Sequence, residues 1–171
     1  DMSEEQKLAG IGTIIGHEIT HGFDKNGAEY DKYGLENDWL PFTDELSFSD
    51  RCDHVSEYYH TIRPFPENSA YNGDLVVGEA TADMGGIRVT LSMASKQQGF
   101  DYDKYFRQYA TLWQTSEKEE DEVAQLENDE HPLNYLRINV GLQQFDEFYT
   151  TYGVKEGDGM YLSEDKRIAV W

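Results

Sequence analysis

Residues 8–16 are apolar or small and carry no charge, and the polar positions that follow keep a helical spacing. This pattern predicts a buried helix over residues 8–23. Further helices are predicted over 43–60, 76–98, 102–115, 117–128 and 134–149. Val55, Tyr58, Tyr59 and Ile62 recur at helical spacing, as do Tyr105, Tyr109 and Leu112. Stripes of this kind form cores more often than ligand sites, and both are assigned to the core. Gly27, Gly34, Pro64-Phe65-Pro66 and Asn72-Gly73 punctuate turns. Strand signal is confined to residues 74–77. No repeat or low-complexity linker interrupts the chain, so one mainly α domain is expected over residues 1–171.

The formal net charge of −20 argues against nucleic acid and anionic membrane surfaces as partners. Much of the acid lies in residues 117–130 and reads as a solvated helix face. Its sharper reading is a cleft that disfavours acidic peptides. No apolar run approaches the ~18 residues needed to cross a bilayer. Cys52 is the single cysteine and is expected to be a small, half-buried residue without a catalytic part.

The chemistry is concentrated in His17-Glu18-Ile19-Thr20-His21. Histidines at i and i+4 share one helix face, so both imidazoles can grip one Zn²⁺. Glu18 is turned by about 100° from His17, beside a metal but not on it. A general base is needed at that place if a zinc-activated water is to attack a carbonyl. Such a site needs a third protein ligand and an open fourth position. Glu79 and Asp83 are again i and i+4, and Glu79 can supply the ligand. Asp83 can accept the free ring N–H of a zinc histidine. Gly78, Ala80, Ala82, Gly85 and Gly86 would let this helix approach the histidine helix closely.

Together, His17-Glu18-Ile19-Thr20-His21-Gly22-Phe23-Asp24 and Gly78-Glu79-Ala80-Thr81-Ala82-Asp83 resemble the neprilysin family of zinc endopeptidases, which includes the bacterial PepO oligopeptidases. The likeness continues in the stretch from His131 to Asn139 and in Met160-Tyr161-Leu162, Arg167 and Trp171. It implies one Zn²⁺ held by His17, His21 and Glu79, with Glu18, Asp83 and His131 serving catalysis. Asp83 would orient His17, Asp24 would orient His21, and His131 would stabilise the oxyanion. Arg137 would grip a substrate backbone carbonyl. His131 and Pro132 are adjacent here, where many relatives have a residue between them.

The implied fold is the C-terminal helical portion of a thermolysin-like zincin domain. The implied reaction is hydrolysis of internal peptide bonds in oligopeptides. A non-catalytic peptide-binding or scaffold relative is the alternative, as is an isolated fragment that lacks half its cleft. The chain opens at Asp1 without an initiator Met, so a large helical N-terminal portion is expected upstream as its partner. Scarce cysteine and the absence of an Asn-x-Ser/Thr sequon point to a cytoplasmic, bacterial enzyme, with secretion left open.

Overall fold

The computed structural model describes residues 1–65 and 71–170. Pro66 and Trp171 lie outside the described residues. Eight α-helices are described: α1 Glu4–Lys7, α2 Thr13–Thr20, α3 Phe42–His60, α4 Gly73–Ala94, α5 Tyr102–Leu112, α6 Glu119–Asn128, α7 Asn134–Leu142 and α8 Asp146–Tyr152. The only pairing of extended backbone among the described residues is an isolated bridge between Tyr30 and Glu36. No described helix is long and apolar enough to cross a membrane.

The first helical stretch begins earlier than its apolar pattern suggests. Ser3 caps α1 in a capping box with Gln6. Between α1 and α2 the helix widens into a π segment, Leu8–Gly12, whose Leu8, Ala9 and Gly10 are buried. α2 then buries Thr13, Gly16, His17 and Thr20, the i, i+3, i+4, i+7 set of one face. The opposite face of the π segment and α2 together leaves Ile11, Ile15 and Ile19 61%, 53% and 63% exposed.

α2 packs on α4 through a seam of small residues. A Cβ on Gly86 would lie 2.4 Å from Thr13 O, and one on Gly85 would lie 2.3 Å from Thr20 Oγ1. Only glycine permits this approach, which sets α4's acidic turn directly against α2's histidine turn.

Residues 74–77 are not a strand. They form the first turns of α4, because the Asn72 side chain accepts the Leu75 N–H and starts the helix there. Residues 134–149 are not one helix either. The chain opens at Gln143–Phe145, where Gln143 donates to Tyr58 OH at 2.6 Å and Gln144 Oε1 accepts Ile168 N–H at 2.8 Å. Those tertiary bonds hold the break.

The core contains Val55, Tyr59, Tyr105, Phe106 and Tyr109, while Leu112 is exposed, because α5 ends there. Thr90 and Tyr105 hydroxyls satisfy one another at 2.6 Å inside it. Cys52 is fully buried, deeper than expected, and burial pushes its thiol up to about 11. α6 buries only Leu126 and keeps Glu119, Glu120, Asp121 and Glu122 in its first turn, where the helix dipole favours acid.

Candidate metal centre

His17 lies near the end of α2, and His21 opens the 3₁₀ turn that follows. Glu79 and Asp83 lie one turn apart on α4. The close α2–α4 approach brings their side chains together although the histidines and the carboxylates lie 58 or more residues apart in sequence. His17 Nε2 is 3.0 Å from His21 Nε2 and 3.2 Å from Glu79 Oε2, and His21 Nε2 is 3.3 Å from Glu79 Oε1. The outer ring nitrogens are already engaged. His17 Nδ1 meets Asp83 Oδ1 at 2.9 Å, and His21 Nδ1 meets Asp24 Oδ2 at 2.6 Å. Asp24 is itself fixed, because its Oδ1 accepts the Asn26 and Gly27 N–H groups at 2.9 and 2.7 Å.

This arrangement suits a cation. With Nδ1 protons directed at carboxylates, both Nε2 lone pairs face each other across 3.0 Å. Glu79 Oε2 is buried and accepts no hydrogen bond. A tetrahedral zinc with bonds of ~2.0–2.1 Å would hold its ligand atoms about 3.3 Å apart, close to the spacings here. Two imidazoles and a carboxylate are a donor set that zinc takes.

Burial opposes the imidazolium at His17, but Asp83 and Glu79 outweigh it and push its pKa up to about 9. Burial likewise opposes the Glu79 carboxylate, yet His17, His131 and His21 hold its carboxyl below the usual range. Metal entry therefore displaces a proton.

Arg137, on α7, donates to the same Asp83. Its Nε reaches Oδ2 at 2.8 Å and its Nη2 reaches Oδ1 at 2.6 Å. Trp113 lies under the guanidinium, 3.6 Å from Cζ to the ring centroid. Both charged side chains are buried, so Asp83 has two tasks: it fixes His17, and it neutralises a buried cation. His131 follows α6 and places Nε2 3.3 Å from Glu79 Oε2. Asp129 accepts from both the His131 N–H and its Nδ1, each at 2.8 Å. The sequence reading passed over Asp129. Its only signal was an acid two residues before His131, and acids are common throughout residues 117–130. Glu18 is exposed, and its carboxylate makes no hydrogen bond or ion pair with any described residue.

The double duty of Asp83 sets an expectation. Asp83→Ala should weaken zinc binding by about 10–100-fold, as loss of a ligand's hydrogen-bond partner does. It should also destabilise the fold by about 3–5 kcal/mol, because Arg137 is left as an unpaired buried charge. Zinc titration and denaturant unfolding of the variant check both. A normal zinc affinity would remove Asp83 from the site.

Comparison with known proteins gives a consistent pattern. The family model for peptidase family M13 matches residues 1–168. A neutral endopeptidase of Lactococcus lactis subsp. lactis is 35% identical over 171 residues, covering all of this chain and 27% of the relative. The crystal structure of PepO from Lactobacillus rhamnosis HN001 superposes with a TM-score of 0.91 at 34% identity, over 98% of this chain and 26% of that one. The Mycobacterium tuberculosis zinc metalloprotease Zmp1, solved with an inhibitor, gives 0.90 at 29% identity over 98% of this chain and 28% of that one. The chain thus spans about a quarter of the length of these relatives.

Proposed function

The chain belongs to peptidase family M13, and from that premise we propose that it carries the catalytic centre of a zinc endopeptidase that hydrolyses internal bonds of oligopeptides. One observation carries the reading: His17, His21 and Glu79 present ligating atoms within 4.8 Å of one another, and Glu79 Oε2 is buried without a hydrogen bond. These three residues would hold one zinc. When bound, zinc supplies a Lewis acid that polarises a carbonyl and acidifies water.

The chain's own residues would do the rest. Glu18, exposed beside the site, takes the proton of the attacking water and delivers it to the leaving amine. Asp83 and Asp24 hold the histidine rings in the tautomer that leaves Nε2 free. His131 is oriented by Asp129, so its Nε2 faces the centre and can donate to a developing oxyanion. Arg137 Nη1 makes no hydrogen bond with a described residue and is the donor left for a substrate carbonyl. The Ile11, Ile15 and Ile19 stripe would pack against the remainder of a longer protein, as patches of this kind seldom stay uncovered. A cytoplasmic location belongs to the same proposal.

The test is digestion of an oligopeptide by the full-length, zinc-loaded protein, with product masses locating the cut. Cleavage should be internal and should stop on chelation. His131→Phe should lower kcat chiefly, because its hydrogen bond forms to charge that appears in the transition state. An unchanged kcat would contradict that part, and full activity in excess chelator would sink the reading.

A further inference from the structure

Trp113 stands at the C-terminal end of α5, and its ring meets that of Tyr109 edge to face with centroids 6.4 Å apart. Both side chains reach α7 at the same residue. The Tyr109 hydroxyl donates to the Arg137 carbonyl oxygen at 3.4 Å. The Trp113 ring covers the Arg137 guanidinium, with Cζ 3.6 Å from the ring centroid, which is van der Waals contact. Trp113 Nε1 is buried without a hydrogen-bond partner, so the indole engages the arginine by its face and not by its N–H. Arg137 itself is buried, whereas Trp113 is half-buried.

The guanidinium is thus held in two directions. Asp83 fixes it within its own plane, through Nε and Nη2. Bonds in that plane do not stop the guanidinium and carboxylate from rocking out of it. Such rocking would swing Nη1, the donor without a described partner, through an arc. A ring face in contact with the guanidinium blocks the swing on one side, and its attraction for a cation keeps the two together. That attraction is largest where water is excluded, as it is around this buried pair. A leucine at 113 would fill space but offer no electron-rich face.

We infer that Trp113 is a positioning residue: by stacking on the Arg137 guanidinium it aims Nη1 at the substrate backbone carbonyl, without touching the metal or the reacting bond. This role rests on the peptidase reading above, in which Arg137 grips that carbonyl.

Binding of a peptide series to the full-length, zinc-loaded Glu18→Gln protein tests this apart from turnover. Each peptide has one backbone carbonyl oxygen exchanged for sulfur, a poor acceptor, at a different position. Arg137→Met identifies the position that Arg137 reads: there, a sulfur penalty of about tenfold in Kd should vanish, the scale of a hydrogen bond from a charged donor. Trp113→Leu should cut the penalty at that same position by about three- to tenfold, the scale of one cation–π contact, and leave the other positions unchanged. Trp113→Phe should restore part of it. Mono-, di- and trifluorinated tryptophan placed at 113 alone keeps the shape of the ring while drawing charge from its face. The penalty should then fall stepwise with fluorine, and this arm stands even where Trp113→Leu fails to fold. A penalty untouched by the fluorine series would overturn the inference and leave the Arg137 contact intact. A loss that follows the size of the substrate side chains instead of the carbonyl would make Trp113 a wall of the cleft, and would overturn it too. If no position depends on Arg137, the carbonyl contact and the positioning role fall together. A wild-type protein that shows the expected penalties but cuts nothing would overturn the peptidase reading alone.

Discussion

Glu18→Gln in the full-length protein should keep zinc and fold while lowering kcat by about 10²–10⁴-fold, the range for losing a positioned general base. The carboxylate is exposed and makes no hydrogen bond or ion pair with any described residue, so the fold loses nothing by the exchange. Glutamine matches its size but cannot accept the water's proton. The adjacent histidine keeps its Asp83 partner, so the metal donors are untouched. Metal content, thermal midpoint and single-peptide kinetics, read together, check the expectation. Turnover within about tenfold of wild type would show that the proton goes elsewhere. Loss of zinc would show that Glu18 is structural.

The second large effect is expected at a residue that touches neither metal nor substrate. Gly86→Val should destabilise the protein by about 3 kcal/mol, the upper part of the usual range for overpacking. It should also strip the chain of zinc at concentrations that saturate wild type. The first added carbon alone would sit 2.4 Å from Thr13 O and 3.0 Å from His17 N. Backbone atoms cannot rotate away as a side-chain tip can, so the helices must part. α4 carries Glu79 and Asp83 and α2 carries His17, so a displacement of either helix separates the donors. Gly159→Ala is the control, since its new carbon would meet nothing within 4 Å. Equilibrium dialysis against zinc and unfolding curves for the two variants make the comparison. A Gly86→Val protein with wild-type zinc uptake would show that the seam does not set the site.

The parts of this architecture that were legible in the sequence are those encoded by local spacing. Two i, i+4 pairs placed His17 with His21 and Glu79 with Asp83, and the glycines around the second pair announced a close helix approach. Of the two stripes, Val55, Tyr59, Tyr105 and Tyr109 are core positions, Tyr58 and Ile62 pack partly buried against the core, and Leu112 is exposed. What spacing cannot encode is the partner across a gap. The bidentate pairing of Arg137 with Asp83 spans 54 residues, and nothing in either segment specifies it. Asp129 looked like one acid among many because its role depends on where the chain turns after α6. The break at Gln143–Phe145 was missed for a related reason. Helical propensity runs through it, and the bonds to Tyr58 and Ile168 that open it come from distant parts of the fold.

The π segment Leu8–Gly12 has an evolutionary consequence. A wide turn accommodates one more residue than an ordinary helix would over the same rise, so it is the natural trace of a single-residue insertion. Removing one residue there would restore regular helix, but it would rotate everything upstream by about 100° relative to His17. Gln6 would leave Gln108, now 3.4 Å away, and Glu5 would leave Lys104, now 3.6 Å away. The α1–α5 contact and the histidine turn are therefore phased to each other by a count of residues. Sequence drift can change the letters of this stretch far more easily than its length.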